Sequence, residues 1–226
     1  MLTGIKVAIL DDHQSILDGY SYRLSDPECV IVGMAIYGED IEKILAASRP
    51  NVLILDANVR SSPLNHNPFP ILSFVRITLQ KYPDLKILVI SMLTAGALIE
   101  ALVYAGVRGY IFKDDESSIR QLCFVIKSVA EGGVYFSPGA WEKVRPGQSA
   151  LILTSRQLEV LSVSAAYPDL STYAQAQKLA ISSSTFRNLL SGAYKRLGVS
   201  TRTAAIVRAN RLGLIANAIY LPDLSK

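Results

Sequence analysis

Scarcity is the first thing the 226 residues show: two cysteines, two histidines and one tryptophan. Two cysteines cannot make a disulfide framework. Cys29 and Cys123 both lie in apolar stretches, so the reading is a pair of buried thiols in a reducing compartment rather than a disulfide. His13 and His66 are too few and too separated to suggest a zinc site, and nothing supports a catalytic triad. Half of the residues are hydrophobic, yet no apolar run reaches the roughly 18 residues that a membrane helix needs. The first residues lead straight into a strand pattern instead of a secretory leader, so a cytoplasmic protein with no membrane partner is expected. Internal repeats and low-complexity segments are missing too.

What is present is unevenly spread. Residues 1–137 hold 12 Lys and Arg against 15 Asp and Glu, net −3, whereas residues 138–226 hold 11 against 4, net +7. The basic half is the one suited to a polyanion such as double-stranded DNA, although charge alone fits an unliganded basic surface as well. Ser137-Pro138-Gly139 and Arg145-Pro146-Gly147 are turn-rich. The expected division is therefore 1–137, a linker at 138–150 in which Ala140 to Val144 could form a short helix, and 151–226.

The first half alternates strand and helix. Apolar runs at 6–10, 30–35, 52–55, 86–90 and 109–112 read as strands, and helical patterns follow at 14–24, 40–48, 71–82, 95–105 and 118–131. Continuous apolar strands imply burial on both faces, hence an α/β fold with a five-stranded, doubly wound parallel sheet.

The chemistry stands at the C-terminal ends of those strands: Asp11 and Asp12, Asp56, Ser91 and Lys113. In an open parallel sheet such ends share one edge, where ligands bind. Two carboxylates about 4 Å apart repel by roughly 4 kcal/mol at an effective dielectric near 20, so three of them need a counter-charge. A Mg²⁺ ion meets that need and leaves waters to exchange for a phosphate, and Lys113 adds a fixed positive charge. Asp56 is then a carboxylate nucleophile for phosphoryl transfer, with Ser91 placed to hydrogen-bond the arriving oxygens. Taken singly, each residue has a plainer explanation: the Asp11-Asp12 pair as a helix cap, Asp56 as a loop starter, Lys113 as a surface charge. Their joint placement favours aspartyl-phosphate chemistry.

The second half is short and helical. Thr154 and Gln157 form a capping-box pattern before the first helix, Tyr167-Pro168-Asp169 breaks it, Ser171 or Thr172 opens a second, Ser182 caps a third that Gly198 stops, and Thr201 to Leu212 forms a fourth. A tight turn before the third helix suits a helix-turn-helix. Phe186, Leu189, Leu190, Ala193 and Leu197 make an apolar stripe on that helix, leaving Ser184, Arg187, Asn188, Ser191 and Lys195 on the other side. Arg187 and Asn188 can pair bidentately with guanine and adenine, while Thr185, Lys195 and Arg196 suit phosphates; a merely solvated helix face is the alternative for any one of them.

At these residues a resemblance becomes plain. Leu10-Asp11-Asp12-His13, Leu55-Asp56, Ile90-Ser91 and Gly109-Tyr110-Ile111-Phe112-Lys113-Asp114 resemble the receiver domain of bacterial two-component response regulators, and Leu153 to Val207 resembles the LuxR-type helix-turn-helix. Nearly the whole chain is thus similar to the NarL/FixJ family. The resemblance implies strand order 2-1-3-4-5 and a DNA-binding transcriptional regulator, not an enzyme in the usual sense, switched when a histidine kinase phosphorylates Asp56. It implies that Asp12 ligates the metal directly, that Asp11 acts largely through water and that the backbone carbonyl of Asn58 completes the site. It implies that Ser91 and the aromatic Tyr110 respond to the phosphoryl group, Tyr110 by turning inward. Arg187, Asn188 and Ser191 fall at base-contacting positions, and the last helix carries contacts of an active homodimer. The alternative within the class is a phosphorylation-independent DNA binder answering a protein or small-molecule signal.

Some residues depart from the family pattern. Met92 stands where a small residue is usual and could narrow the way to Asp56. Residues 58–70 form a longer loop with three prolines and no glycine, expected to shield the acceptor or to contact the kinase. Ala174-Gln175 replaces Glu-Ile in the second helix, where Gln175 could loosen packing, and Leu189 replaces a common His.

Overall fold

The computed structural model describes residues 4–144 and 152–216. Residues 145–150 of the expected linker, residue 151 and the tail beyond Ala216 lie outside the described residues.

Strands β1 (Ile5–Leu10), β2 (Cys29–Ala35), β3 (Val52–Leu55), β4 (Lys86–Ser91), β5 (Gly109–Phe112) and β6 (Tyr135–Phe136) make one parallel sheet in the order β2-β1-β3-β4-β5-β6. The five expected strands are present in the expected order, and β6 corrects their number. A two-residue strand carries no alternation to read. It approaches β5 because Gly109 has no side chain: a Cβ there would lie 2.2 Å from the Tyr135 carbonyl oxygen.

Helices α1 (Gln14–Arg23), α2 (Ile41–Ser48), α3 (Ile71–Lys81), α4 (Gly96–Ala105), α5 (Glu116–Arg120) and α6 (Leu122–Ala130) cover the sheet. α1 and α6 pack with Val7, Ile9, Ile54 and Ile90 on one face; α2, α3 and α4 pack with Ala8, Leu10, Leu53 and Val89 on the other. Burial on both faces explains why these strands are unbroken apolar runs. The helix expected at 118–131 starts earlier and divides at Gln121, because Asp115 accepts hydrogen bonds from the Ser117 and Ser118 amides and so caps a separate first turn. Helix α7 (Pro138–Lys143) occupies the start of the expected linker and packs on β5 and α4, with Ala140 fully buried.

The second half comprises α8 (Ser155–Ala166), α9 (Thr172–Lys178), α10 (Ser183–Leu197) and α11 (Arg202–Arg211). Thr154 accepts from the Gln157 amide while the Gln157 side chain accepts from the Thr154 amide, closing the capping box. Ser171, Ser182 and Thr201 cap the other three helices through their hydroxyls. Gly198, at φ 67°, ends α10 in the left-handed conformation that glycine adopts without cost. Gln175 does not loosen the bundle. It is fully buried, donates to the Tyr167 carbonyl at 2.6 Å and accepts from Ser164 at 3.4 Å, so it joins the end of α8 to α9.

The halves touch along α3 and α8. Arg76 of α3 donates to Glu159 of α8 at 2.6 Å, and Arg156 neutralises the other carboxylate oxygen at 2.6 Å. Leu214, Ile215 and Ala216, just past α11, share a small cleft with Ala57, Phe69 and Leu98. The 58–70 loop doubles back on itself, with Arg60 paired antiparallel to Pro68. It is anchored on the Gly38 and Glu39 amides, and Asn65 at its tip donates to the Ala166 carbonyl at 2.9 Å. The loop is thus a strut reaching the helical half.

Candidate functional site

Every residue of the acidic edge reaches it through strand geometry. β1 and β3 pair in register, Leu10 opposite Leu55, so that Asp11 and Asp56 emerge side by side, and β5 brings Lys113 in beside Ser91 of β4. Asp11 and Asp56 are 1% and 2% exposed, and the ammonium of Lys113 bridges them, 2.7 Å from an oxygen of each. The Asn58 amide donates to Asp56 Oδ1 at 3.0 Å. That bond fixes the carboxylate and turns the chain after it.

Asp12 stands differently. Burial first, and then the charges of Asp56 and Asp11, raise its pKa above the usual carboxylate value, against the opposing pull of His13 and Arg60. One of its oxygens, Oδ1, is buried without a hydrogen bond, although His13 Nδ1 lies 2.9 Å away. Burial pulls the Lys113 ammonium toward neutrality, but Asp56 and Asp11 overcome that and hold its pKa above the ordinary lysine value. Ligand atoms of Asp11, Asp12, His13 and Asp56 all lie within 4.8 Å of one another. Three carboxylates this close together, with Lys113 bound to Asp11 and Asp56, offer the oxygen donors that a divalent cation takes. His13 was not foreseen as part of this group; its position directly after the acidic pair was the available signal.

Ser91 is fully buried, and its Oγ accepts from the Leu93 amide at 3.4 Å. Tyr110 is also fully buried, with its hydroxyl donating to the Leu93 carbonyl at 2.7 Å, so the aromatic already points inward; burial raises its pKa well above normal. Met92 is 61% exposed.

In the helical half, Ser184, Thr185, Arg187, Asn188, Ser191, Lys195 and Arg196 are all exposed on α10, while Phe186, Leu190, Ala193 and Leu197 are buried against α8, α9 and α11. Leu189 is half-buried. The seven expected contact residues therefore share one solvent face, and the docking of α8 on α3 leaves that face uncovered.

No protein-family model matches the chain. It is similar over most of its length to the transcriptional regulatory protein DegU of Brevibacillus brevis (26% identical, 93% of this chain, 95% of that protein) and to DesR of Bacillus subtilis (27%, 92% and 98%). It is likewise similar to the DNA-binding transcriptional activator DevR/DosR of Mycobacterium tuberculosis (26%, 92% and 95%). Among solved structures, RcsB of Salmonella enterica, bound to the rprA promoter in the presence of the phosphomimetic BeF₃⁻, superposes with a TM-score of 0.65 at 20% identity, covering 91% of this chain and 98% of that one. The isolated receiver domain of RcsB superposes with a TM-score of 0.54 at 17% identity over 63% of this chain. Fold and site define a two-part protein, a parallel α/β sheet with an acidic edge followed by a helix-turn-helix bundle. It resembles the NarL/FixJ-type response regulators over nearly its whole length.

Proposed function

We propose that the protein is a DNA-binding transcriptional regulator of a bacterial two-component system: a receiver at 1–137, a linker at 138–150 and a DNA reader at 151–226. The observation that carries this reading is Lys113 bridging Asp11 and Asp56 at the sheet edge of a chain whose α10 presents Arg187 and Asn188 to solvent.

In the receiver, Asp56 is the acceptor. A carboxylate oxygen attacks the phosphorus of a phosphohistidine on the cognate kinase, the phosphorus–nitrogen bond breaks, and the histidine leaves. Asp11, Asp12, Asp56 and the Asn58 carbonyl are the groups that would hold Mg²⁺. The ion, when bound, supplies positive charge to the phosphoryl oxygens. Lys113 holds a second positive charge at the acceptor, and Ser91 offers a hydroxyl to the product. Tyr110, bonded to the Leu93 carbonyl behind Ser91, connects the pocket to the segment leading into α4.

In the reader, Arg187 and Asn188 recognise base edges together with Ser191, while Thr185, Lys195 and Arg196 position the helix on phosphates, and Ser184 lies on the same DNA-facing side. Homodimers formed in the active state, with contacts from α11, would read paired half-sites. A second reading, operation without phosphorylation, draws on Tyr110 itself, which is already inward. Both are tested by selecting duplexes from a random pool with the full chain and measuring affinity for the selected sequence with and without acetyl phosphate and Mg²⁺. Tighter binding with both present supports the switch, unchanged sequence-specific binding supports the second reading, and failure to select any sequence sinks the DNA-reading function.

A further inference from the structure

The only two cysteines of the chain, 94 positions apart, meet in the fold. Cys29 is the first residue of β2, the edge strand, and Cys123 lies in the first turn of α6; their sulfurs are 3.2 Å apart, and both are free thiols. That is closer than an ordinary contact between sulfurs, and shortening it to a bond of about 2.05 Å requires a movement of only about 1 Å. The two sulfurs differ in access: Cys29 is 3% exposed, whereas Cys123 is partly open to solvent. Around them, Asp26 accepts from Cys123 at 3.6 Å and faces Lys127 at 3.5 Å, and Lys127 also pairs with Glu28, so a polar edge borders the thiols on the solvent side. The pair belongs to the face of the sheet that packs on α1 and α6 and takes no part in the acidic edge.

We propose that Cys29 and Cys123 form a reversible dithiol–disulfide site, oxidised by a peroxide, whose closure staples α6 to the edge strand β2. The balance is simple. The accessible Cys123 sulfur attacks one peroxide oxygen, the oxygen–oxygen bond breaks, and water leaves with the thiol proton, giving a sulfenic acid on Cys123. The Cys29 sulfur then attacks the Cys123 sulfur, the sulfur–oxygen bond breaks, and the hydroxyl leaves as water with the Cys29 proton. Two thiols are oxidised and one peroxide is reduced to two waters. The roles follow access: Cys123 meets the oxidant and Cys29 resolves it. Burial pushes the Cys29 thiol up to about 12, so of the two sulfurs it is the one less open to the oxidant. The inference is independent of the acidic pocket.

The test treats the full-length protein with hydrogen peroxide and follows intact mass, free-thiol content, peptide mapping and melting. The expected result is loss of two hydrogens and of both thiols together, a linked pair of peptides containing Cys29 and Cys123, a higher melting midpoint, and return to the starting state with dithiothreitol. Cys29→Ser should instead leave Cys123 carrying oxygen. Oxygen accumulating on Cys123 of the unaltered protein beside an intact Cys29 thiol, or a disulfide between two chains, would overturn the site; oxidised and reduced protein melting alike would overturn the staple.

Discussion

Arg76 of α3 and Glu159 of α8 form a 2.6 Å ion pair that joins the sheet half to the helical half, and Glu159 is only 2% exposed. A carboxylate so buried depends on its partners. Arg156, on the same helix and half-exposed, is the other one. Arg76→Ala therefore leaves Glu159 partly compensated, and the docking of the halves weakens by about 2 kcal/mol, the scale of a charged hydrogen bond. Small-angle scattering should show the variant more extended than the parent. The exchange Arg76→Glu with Glu159→Arg should recover part of the compact form; identical scattering from parent and Arg76→Ala would mean that the pair does not hold the halves together.

Gln175 gives a stability prediction. Its amide donates to the Tyr167 carbonyl in a fully buried position, so Gln175→Leu keeps the volume but strands that carbonyl. The expected cost is about 1–3 kcal/mol in urea unfolding of the full chain. A leucine variant as stable as the parent would show that a normally apolar position merely tolerates the glutamine.

On α10, Arg187→Ala and Lys195→Ala should separate reading from holding. The first is expected to lose about 1–3 kcal/mol and blur preference at one base pair, the second to weaken all sequences alike and lower the salt slope by about one. Binding isotherms over a salt series for matched and singly substituted duplexes decide between them.

At the acidic edge, Lys113→Met removes the only cation that bridges Asp11 and Asp56 among the described residues. Two buried carboxylates then face each other without their bridging cation, at a cost of about 3 kcal/mol. The variant should melt well below the parent in a chelator and recover much of the difference when Mg²⁺ is added. Melting that ignores Mg²⁺ in both proteins would argue against a cation site there.

Much of this arrangement was legible in the sequence because parallel strands buried on both faces are continuous apolar runs, and the residue that ends each run must stand on one edge. Asp11, Asp56, Ser91 and Lys113 come together for that reason alone. The caps of the helical half were equally readable, since Thr154, Ser171, Ser182 and Thr201 act within a turn of themselves. Long-range relationships were not. Strand β6 is too short to leave a pattern, Gln175 finds partners only when α8 packs on α9, and the cysteines, read as two buried thiols, meet through the crossing of α6 over β2. The 58–70 loop, read as a shield or a kinase contact, spends its length on a hairpin-like turn whose tip binds Ala166, a partner no local spacing could indicate.

The most direct test of the central claim is to incubate the full chain with acetyl phosphate and Mg²⁺ and locate any phosphoryl group by intact mass and peptide mapping. The account predicts one group, on Asp56, absent in Asp56→Asn and absent when Mg²⁺ is chelated. An Asp56 that stays unmodified under conditions that saturate an ordinary receiver, or a phosphoryl group that persists in Asp56→Asn, would contradict it.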